Sequence, residues 1–300
     1  MTPETAAILD HIVILVPYST LLNLPTWLTD AFTISPGGRH ADGVTENKLI
    51  LFSDGVYLEL IAFVPGKEAE RERHRWGHRR EGTIIDWANT LQTEEDLDIV
   101  RDLVRDTGVG FEYDKPVEGG RTRPDGVELK WVTSSWFIEG DTPGYFAGEE
   151  LPFWCVDRTP REFRVPYKTA PDATSHHSEA LGVAGLTVSV ADGILSAMLK
   201  YTYDAIQGIE GRKAQGVYAH KWPLHLPDEE LVISLAGLEN RESRLSWPSL
   251  CLMWSDNEEV VNEKCLIKLY LLSKSKTGTI GGELGEGLPY LEIELVSSGQ

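Results

Sequence analysis

The hydrophobic pattern opens on a strand: LDHIVILV, Leu9 to Val16, is a β-branched run stopped by Pro17. Asn23 and Pro25 then supply a cap and an early proline for a short helix toward Phe32. Pro36 to Gly43 (PGGRHADG) carries turn chemistry. KLILFS (Lys48 to Ser53) and YLELIAFV (Tyr57 to Val64) read as two strands around an Asp54-Gly55 turn. The order then returns. Thr83 to Leu91 reads as a strand, and Thr93 with Asp96 forms a capping box. Leu97, Val100, Leu103 and Val104 make a helical stripe closed by Gly108. GGRTRPDG (Gly119 to Gly126) echoes GGRHADG, and Glu128 to Thr133 and Leu151 to Val156 supply later strands. One element order written twice is an internal repeat.

The third segment is longer and less regular. Val183 to Val190 reads as a strand, and Asp192 caps a helix with Ile194, Leu195, Met198 and Leu199 on one face. Strands are expected at Leu231 to Leu235, Leu250 to Trp254, Leu266 to Leu272 and Tyr290 to Val296, with a glycine-rich loop from Ser273 to Gly287. The pattern divides the chain into residues 1–66, a charged connector at 67–81, a second module with its linker at 82–182, and a divergent α+β segment at 183–300. The connector, Lys67 to Glu81, carries six basic residues and four glutamates. It reads either as a solvated connection or as an arginine-rich flap over an anionic substrate.

Composition narrows the function classes. The 300 residues are 41% hydrophobic and 25% charged, which is ordinary for a globular chain. Lys and Arg number 28 against 47 Asp and Glu, a net charge of −19 that repels phosphate backbones and anionic membranes. Nucleic-acid and membrane partners are therefore not expected. The first residues carry no basic region ahead of an apolar run, and Cys155, Cys251 and Cys265 are odd in number and widely spaced. They read as reduced thiols in a cytoplasmic protein.

HExxH, GxSxG and Walker patterns are missing from the sequence, so no nucleotide cofactor is expected. The strongest chemical signal is a pair. His11 and Glu59 stand in otherwise apolar strands, where an imidazole and a carboxylate are costly unless paired or ligated. A divalent metal (Zn, Fe, Mn, Ni or Mg) held by His11 and Glu59 would account for both. So would acid–base work without a metal.

At this point the sequence resembles the vicinal oxygen chelate superfamily, and within it the glyoxalase-like domain group. The words that carry the resemblance are LDHIVILV, PGGRHADGVTEN, DGVYLELIAF, GGRTRPDG and LPFWC. The resemblance implies an α+β fold: repeated βαβββ modules forming a curved, cup-like mixed sheet, helices outside and the site within. The third segment would close or extend the cup. In metal-dependent members each of two modules gives a first-strand and a fourth-strand ligand. His11 and Glu59 match the first module. Aligning DWANTL on DHIVIL puts Trp87 at the second His position, and aligning PFWC on VYLE puts Cys155 at the second Glu position. In the third segment Leu186 falls at the His position and Glu292 at the Glu position. The four-ligand set is incomplete, so a third ligand would come from His40 or Glu292.

The same resemblance makes Glu59, His40 and His11 the catalytic candidates. Asn47 and His176, at motif positions of the group, are substrate-binding candidates, and so, on their own residue chemistry, are Arg121 beside the paired glycines as a carboxylate binder and Trp87 and Trp131 as aromatic walls. Each also has a plain structural role open to it: a backbone-bonded turn for His40, core packing for the tryptophans, an exposed loop for His176 and His177, a buried inert thiol for Cys155. The expected activity is isomerase, lyase or hydrolase chemistry on a small oxygen-rich carbonyl or phenolic molecule. A binding protein that sequesters such a molecule is the alternative from another class. A homodimer is compatible with either.

Overall fold

The computed structural model describes residues 7–123, 125–141, 148–214, 218–235 and 248–297. Its first half is built on β1 (Ile8–Leu15), α1 (Tyr18–Leu22), α2 (Thr26–Ala31), β2 (Ser35–Arg39), β3 (Thr45–Leu51) and β4 (Tyr57–Phe63). After α3 (Glu68–Arg73) come β5 (Thr83–Thr90), α4 (Asp96–Arg105), β6 (Phe111–Tyr113), β7 (Val117–Thr122), β8 (Glu128–Ser134), β9 (Trp136–Ile138) and β10 (Phe153–Asp157). Strands β6 and β9 pair apart as a small ribbon. The others form one eight-stranded sheet, ordered β2-β3-β4-β1-β5-β10-β8-β7. In each half the last strand runs parallel to the first, β4 beside β1 and β10 beside β5.

This sheet curls until its two edges meet. His40 and Arg121 form a bridge between the chain after β2 and strand β7, and the Ala41 N–H donates to the Gly120 carbonyl at 2.9 Å. Closing a sheet on itself satisfies the edge groups that would otherwise stay unpaired. The two GGR words, expected as turns, are edge strands here. Two of their glycines are required by close approach. A Cβ on Gly37 would lie 2.1 Å from Asn47 Oδ1, and one on Gly119 would lie 2.3 Å from Trp131 Nε1.

After α5 (Arg161–Arg164) the chain builds a second sheet. Its elements are β11 (Ala180–Val190), α6 (Gly193–Gln207), β12 (Arg212–Lys213), β13 (Ala219–Pro223), α7 (Glu229–Leu235), β14 (Ser249–Trp254), α8 (Glu258–Glu263), β15 (Cys265–Ser273), β16 (Gly278–Glu283) and β17 (Tyr290–Ser297). The seven strands are ordered β12-β13-β14-β11-β15-β17-β16. That is the order of the first sheet with one strand fewer, and β14 again runs parallel to β11. The third segment is thus a separate sheet repeating the pattern, not an extension of the first sheet.

Two local expectations change. Leu231 to Leu235 is helical, because Asp228 and two glutamates begin the segment and Asp228 Oδ1 accepts from the Leu231 N–H at 3.2 Å. The glycine-rich Ser273 to Gly287 segment contains β16, which pairs with β17 and packs Gly282 against Trp27.

The sheets share one core. Ile12, Ile14, Leu58, Leu60, Trp87 and Trp154 from the first meet Leu186, Val188, Leu250, Leu269 and Ile293 from the second. Leu97, Val100 and Val104 of α4 and Leu199, Tyr203 and Ile206 of α6 complete that core, outside the cup of the first sheet. The cup has its own lining of Val13, Leu15, Ile61, Phe63, Trp76, Ile85, Ala88, Phe153 and Cys155. Both faces of β1 are therefore covered, which explains its unbroken apolar run. No described helix is long and apolar enough to cross a membrane.

Candidate active site

Strand alternation selects what enters the cup. On β1, Ile12 and Ile14 go to the shared core, whereas His11 and Val13 face inward. On β4, Leu58 and Leu60 go to the core while Tyr57 and Glu59 face inward. His11, 3% exposed, and Glu59, 5% exposed, thereby meet, with His11 Nε2 3.6 Å from Glu59 Oε2. The His11 ring stacks on Tyr57 at 4.7 Å and meets the edge of Phe153 at 5.3 Å.

Glu59 is held from its other side. Its Oε1 accepts from Asn47 Nδ2 at 2.5 Å and lies 3.7 Å from His40 Nε2. The Gly38 N–H donates to Asn47 Oδ1 at 3.0 Å, which fixes the orientation of the Asn47 amide. Its NH2 group then faces both Glu59 and, at 3.4 Å, His40 Nε2. That bonding makes Nε2 the acceptor of His40 and assigns the ring proton to Nδ1, 2.6 Å from Thr45 Oγ1. Burial lowers the His40 pKa against the pull of Glu59 and Asp42, so the ring is neutral at neutral pH with a lone pair beside Glu59.

Behind His11 lies a buried ionic network. Asp10, fully buried, accepts from Arg161 at 2.6 Å and from Arg164 at 2.9 Å, and its Oδ2 is 3.3 Å from His11 Nδ1. Burial would raise this carboxyl, but the two guanidinium groups hold it well below the usual carboxylate range. Arg164 also pairs with Asp157 at 2.7 Å and donates to the Tyr57 hydroxyl at 2.6 Å. The short helix α5 is thus clamped to the site. Neither Asp10 nor Arg164 was singled out from the sequence. A carboxylate next to His11 in an apolar strand carries the same signal as His11 itself.

The chamber around these groups has a volume of about 70 Å³ and opens into a vestibule of about 890 Å³. Trp76, Arg121, Trp131, Thr133 and Phe153 line both. Trp76 comes from the charged connector. Its indole N–H donates to Asp86 at 2.7 Å, and Asp86 also takes Arg75, whose guanidinium lies 4.3 Å over the Phe153 ring. Arg121 is 6% exposed, and its Nη1 donates to the Gly37 carbonyl at 2.7 Å. Burial pulls its pKa down.

The cup brings together His11, His40, Asn47, Glu59, Arg121 and Trp131. Three other candidates lie elsewhere. Trp87 is fully buried in the shared core beside its β1 partner Ile12, and Ala88 is the residue opposite His11. His176 sits against Phe32 and Phe52, takes the Thr33 N–H at 3.1 Å and donates to the Leu51 carbonyl at 2.9 Å. Burial lowers it to about 4, so it is a neutral core histidine. Glu292 is exposed on β17 of the second sheet. His177 is exposed as well.

The register tests the metal reading. His11 pairs Tyr57, with Glu59 two residues on; Ala88 pairs Phe153, with Cys155 two residues on. The second module therefore offers Ala88 and Cys155 where the first has His11 and Glu59. Burial pushes the Cys155 thiol far up, keeping it protonated. Among the described residues, Asp10, His11 and Cys155 form the one group of three donors whose atoms lie within 4.8 Å of one another. Asp10 is already committed to two arginines, and a protonated thiol is a poor ligand, so this trio does not fit a resident divalent ion; of the donors expected from the sequence, His11, Glu59 and His40 do face one chamber, whereas Glu292 does not.

Residues 9–200 match the family model described as a glyoxalase-like domain, Glyoxalase_3. No curated protein matches the sequence. A hypothetical protein from Staphylococcus aureus has a similar solved structure, with 10% identity over 97% of this chain and 100% of that chain and a TM-score of 0.63. A 2,2',3-trihydroxybiphenyl 1,2-dioxygenase from a dibenzofuran-degrading Sphingomonas wittichii strain aligns at 9% identity, 97% and 91% coverage and a TM-score of 0.42. A glyoxalase I mutant from Zea mays aligns at 11% identity, 98% and 93% coverage and a TM-score of 0.29.

Proposed function

The chain belongs to the glyoxalase-like domain family, and on that premise we propose that its cup is the active site of an enzyme moving a proton on a small oxygen-rich carbonyl substrate. The observation that carries this reading is Glu59, buried between His11 Nε2 at 3.6 Å and His40 Nε2 at 3.7 Å. A binding protein has no need of a carboxylate and two imidazoles at that spacing.

His40 is the proton acceptor. Its lone pair at Nε2, engaged among the described residues only by the long 3.4 Å contact of the Asn47 amide, takes a proton from the carbon beside the carbonyl, and the bonding electrons move onto the carbonyl oxygen. The Glu59 carboxylate, 3.7 Å away, stabilises the imidazolium so formed. Asn47 holds Glu59 and His40 in one orientation. Return of the proton to a different atom completes an isomerisation; loss of a β-substituent in its place completes an elimination. His11 flanks the second oxygen of Glu59 and is itself backed by Asp10.

Solvent exchange tests the reading without knowing the natural substrate. Small 2-oxo acids, hydroxyketones and diketones are incubated in D2O with chelator-treated protein, and loss of the C–H signal is followed by NMR. Exchange well above the protein-free rate is expected for at least one compound. Exchange that vanishes with the chelator and returns with a divalent ion overturns the metal-independent mechanism. Inactivity on the whole panel counts against proton transfer.

A further inference from the structure

The chamber and vestibule are ringed by cations, and nearly all have an anion. Arg75 pairs with Asp86, Arg164 with Asp10 and Asp157, and Arg158 with Glu94 and Glu118. Arg39 pairs with Glu46 at 3.3 Å, and Lys130 with Glu128 at 3.4 Å. Arg121 differs. Among the described residues no carboxylate lies within 4.0 Å of it, and its side chain donates to one backbone carbonyl, that of Gly37. It is 6% exposed and lies at the neck where the chamber joins the vestibule. Glu59 acts on it only from across the chamber, and a guanidinium buried to this degree without an anion in contact is costly, because buried charges are ordinarily paired.

We infer that Arg121 is the carboxylate-binding residue of the site, and that the substrate is a monoanionic carboxylic acid with a planar tail. This rests on the reading of the cup as the active site and names its substrate class. One unpaired guanidinium balances one negative charge, and its planar fork matches a carboxylate. The chamber of about 70 Å³ is small beside the vestibule of about 890 Å³, so it is assigned the carboxylate and a neighbouring carbonyl. The remainder must lie in the vestibule. There Trp131, half-buried and laid against the backbone of Gly119, lines the wall and offers the tail an aromatic surface. The bridge between His40 and Arg121 sets the anchored carboxylate beside the proton acceptor.

Calorimetric titration of the full chain with 1-naphthylacetate and with neutral 1-naphthylacetamide tests this at equilibrium. The acid is expected to bind at least tenfold more tightly than the amide, a difference of about 1.4 kcal/mol. Arg121→Gln should erase the difference, Arg121→Lys should keep part of it, and Trp131→Ala should weaken both ligands alike. Equal affinity in the wild type, a preference that survives Arg121→Gln, or no binding of the acid at millimolar concentration overturns the inference. These titrations do not depend on proton transfer. An intact acid preference in a protein that exchanges no protons leaves Arg121's role standing and removes only the catalytic reading.

Discussion

His40 and Arg121 are backbone partners at the point where strand β7 meets the chain leaving β2, although β2 and β7 lie at opposite ends of the eight-strand order. Closure of the sheet and assembly of the site are therefore one event. The proton acceptor and the proposed anion anchor come from different modules and are neighbours only in the closed cup.

Gly37 reports on this coupling. A methyl group there would lie 2.1 Å from Asn47 Oδ1 and 2.2 Å from the Asn47 carbonyl, so the strand or Asn47 must move. Gly37→Ala should cost about 1–3 kcal/mol in urea unfolding and at least tenfold in proton exchange. Wild-type behaviour in both would mean that Asn47 does not hold the site.

The two tryptophans once considered together should separate cleanly. Trp87 is fully buried in the core between the sheets, whereas Trp131 is half-buried at the cup neck. Trp87→Ala should lose about 3–5 kcal/mol of stability. Trp131→Ala should lose clearly less while weakening ligand binding. Chemical denaturation of both variants checks the order, and the reverse order would contradict the assigned faces.

Asp10 gives an acid-side test. Its folded pKa lies below its unfolded value near 3.8, so its contribution is complete above that value and disappears as pH falls through the lower folded pKa. Asp10→Asn leaves Asp157 as the one carboxylate in contact with Arg161 and Arg164 among the described residues. A loss of about 3–5 kcal/mol is expected at pH 7, shrinking only in strong acid. A variant as stable as wild type at pH 7 would show that the network is not needed.

His176 also loses its contribution on acidification, but in a higher pH window than Asp10. Its folded pKa is about 4 and its unfolded value 6.5, so between these pH values the unfolded chain binds the extra proton. Its stability contribution therefore falls as pH drops from 6.5 toward 4. The stability difference between wild type and His176→Gln should be smaller at pH 4.5 than at pH 7.5. A difference that is constant with pH would contradict a neutral, buried His176.

Much of the cup was legible because polar residues in apolar strands are rare and informative. His11 and Glu59 stood out on that ground, and the repeated GGR words stood out as an internal repeat, although they read as turns and not as the strands that close the sheet. The phase of β5 was not legible. TIIDWANT is buried nearly throughout, so it has no apolar and polar alternation to show which face is inward. The β1–β5 register also shifts between Leu9 and His11 and again between Val13 and Ile14. One residue of slip exchanges the faces, and that slip put Trp87 where Ala88 stands. Arg164 was hidden for another reason: its partners Asp10 and Tyr57 are distant in sequence, and only the fold brings them together. His176 was read from a motif position, whereas its fate was decided by Phe32, Phe52 and the Leu51 carbonyl, which no local pattern announces.

The central claim is that Glu59, set between two imidazoles, makes the cup a proton-transfer site. Glu59→Gln keeps the shape of the side chain and removes its charge, and the measurement is the rate of C–H loss in D2O on the best compound of the panel, with circular dichroism confirming the fold. The account predicts at least a hundredfold slower exchange in the Gln variant, in the range that general acid–base catalysis supplies. Exchange at the wild-type rate by a folded Glu59→Gln protein would contradict it.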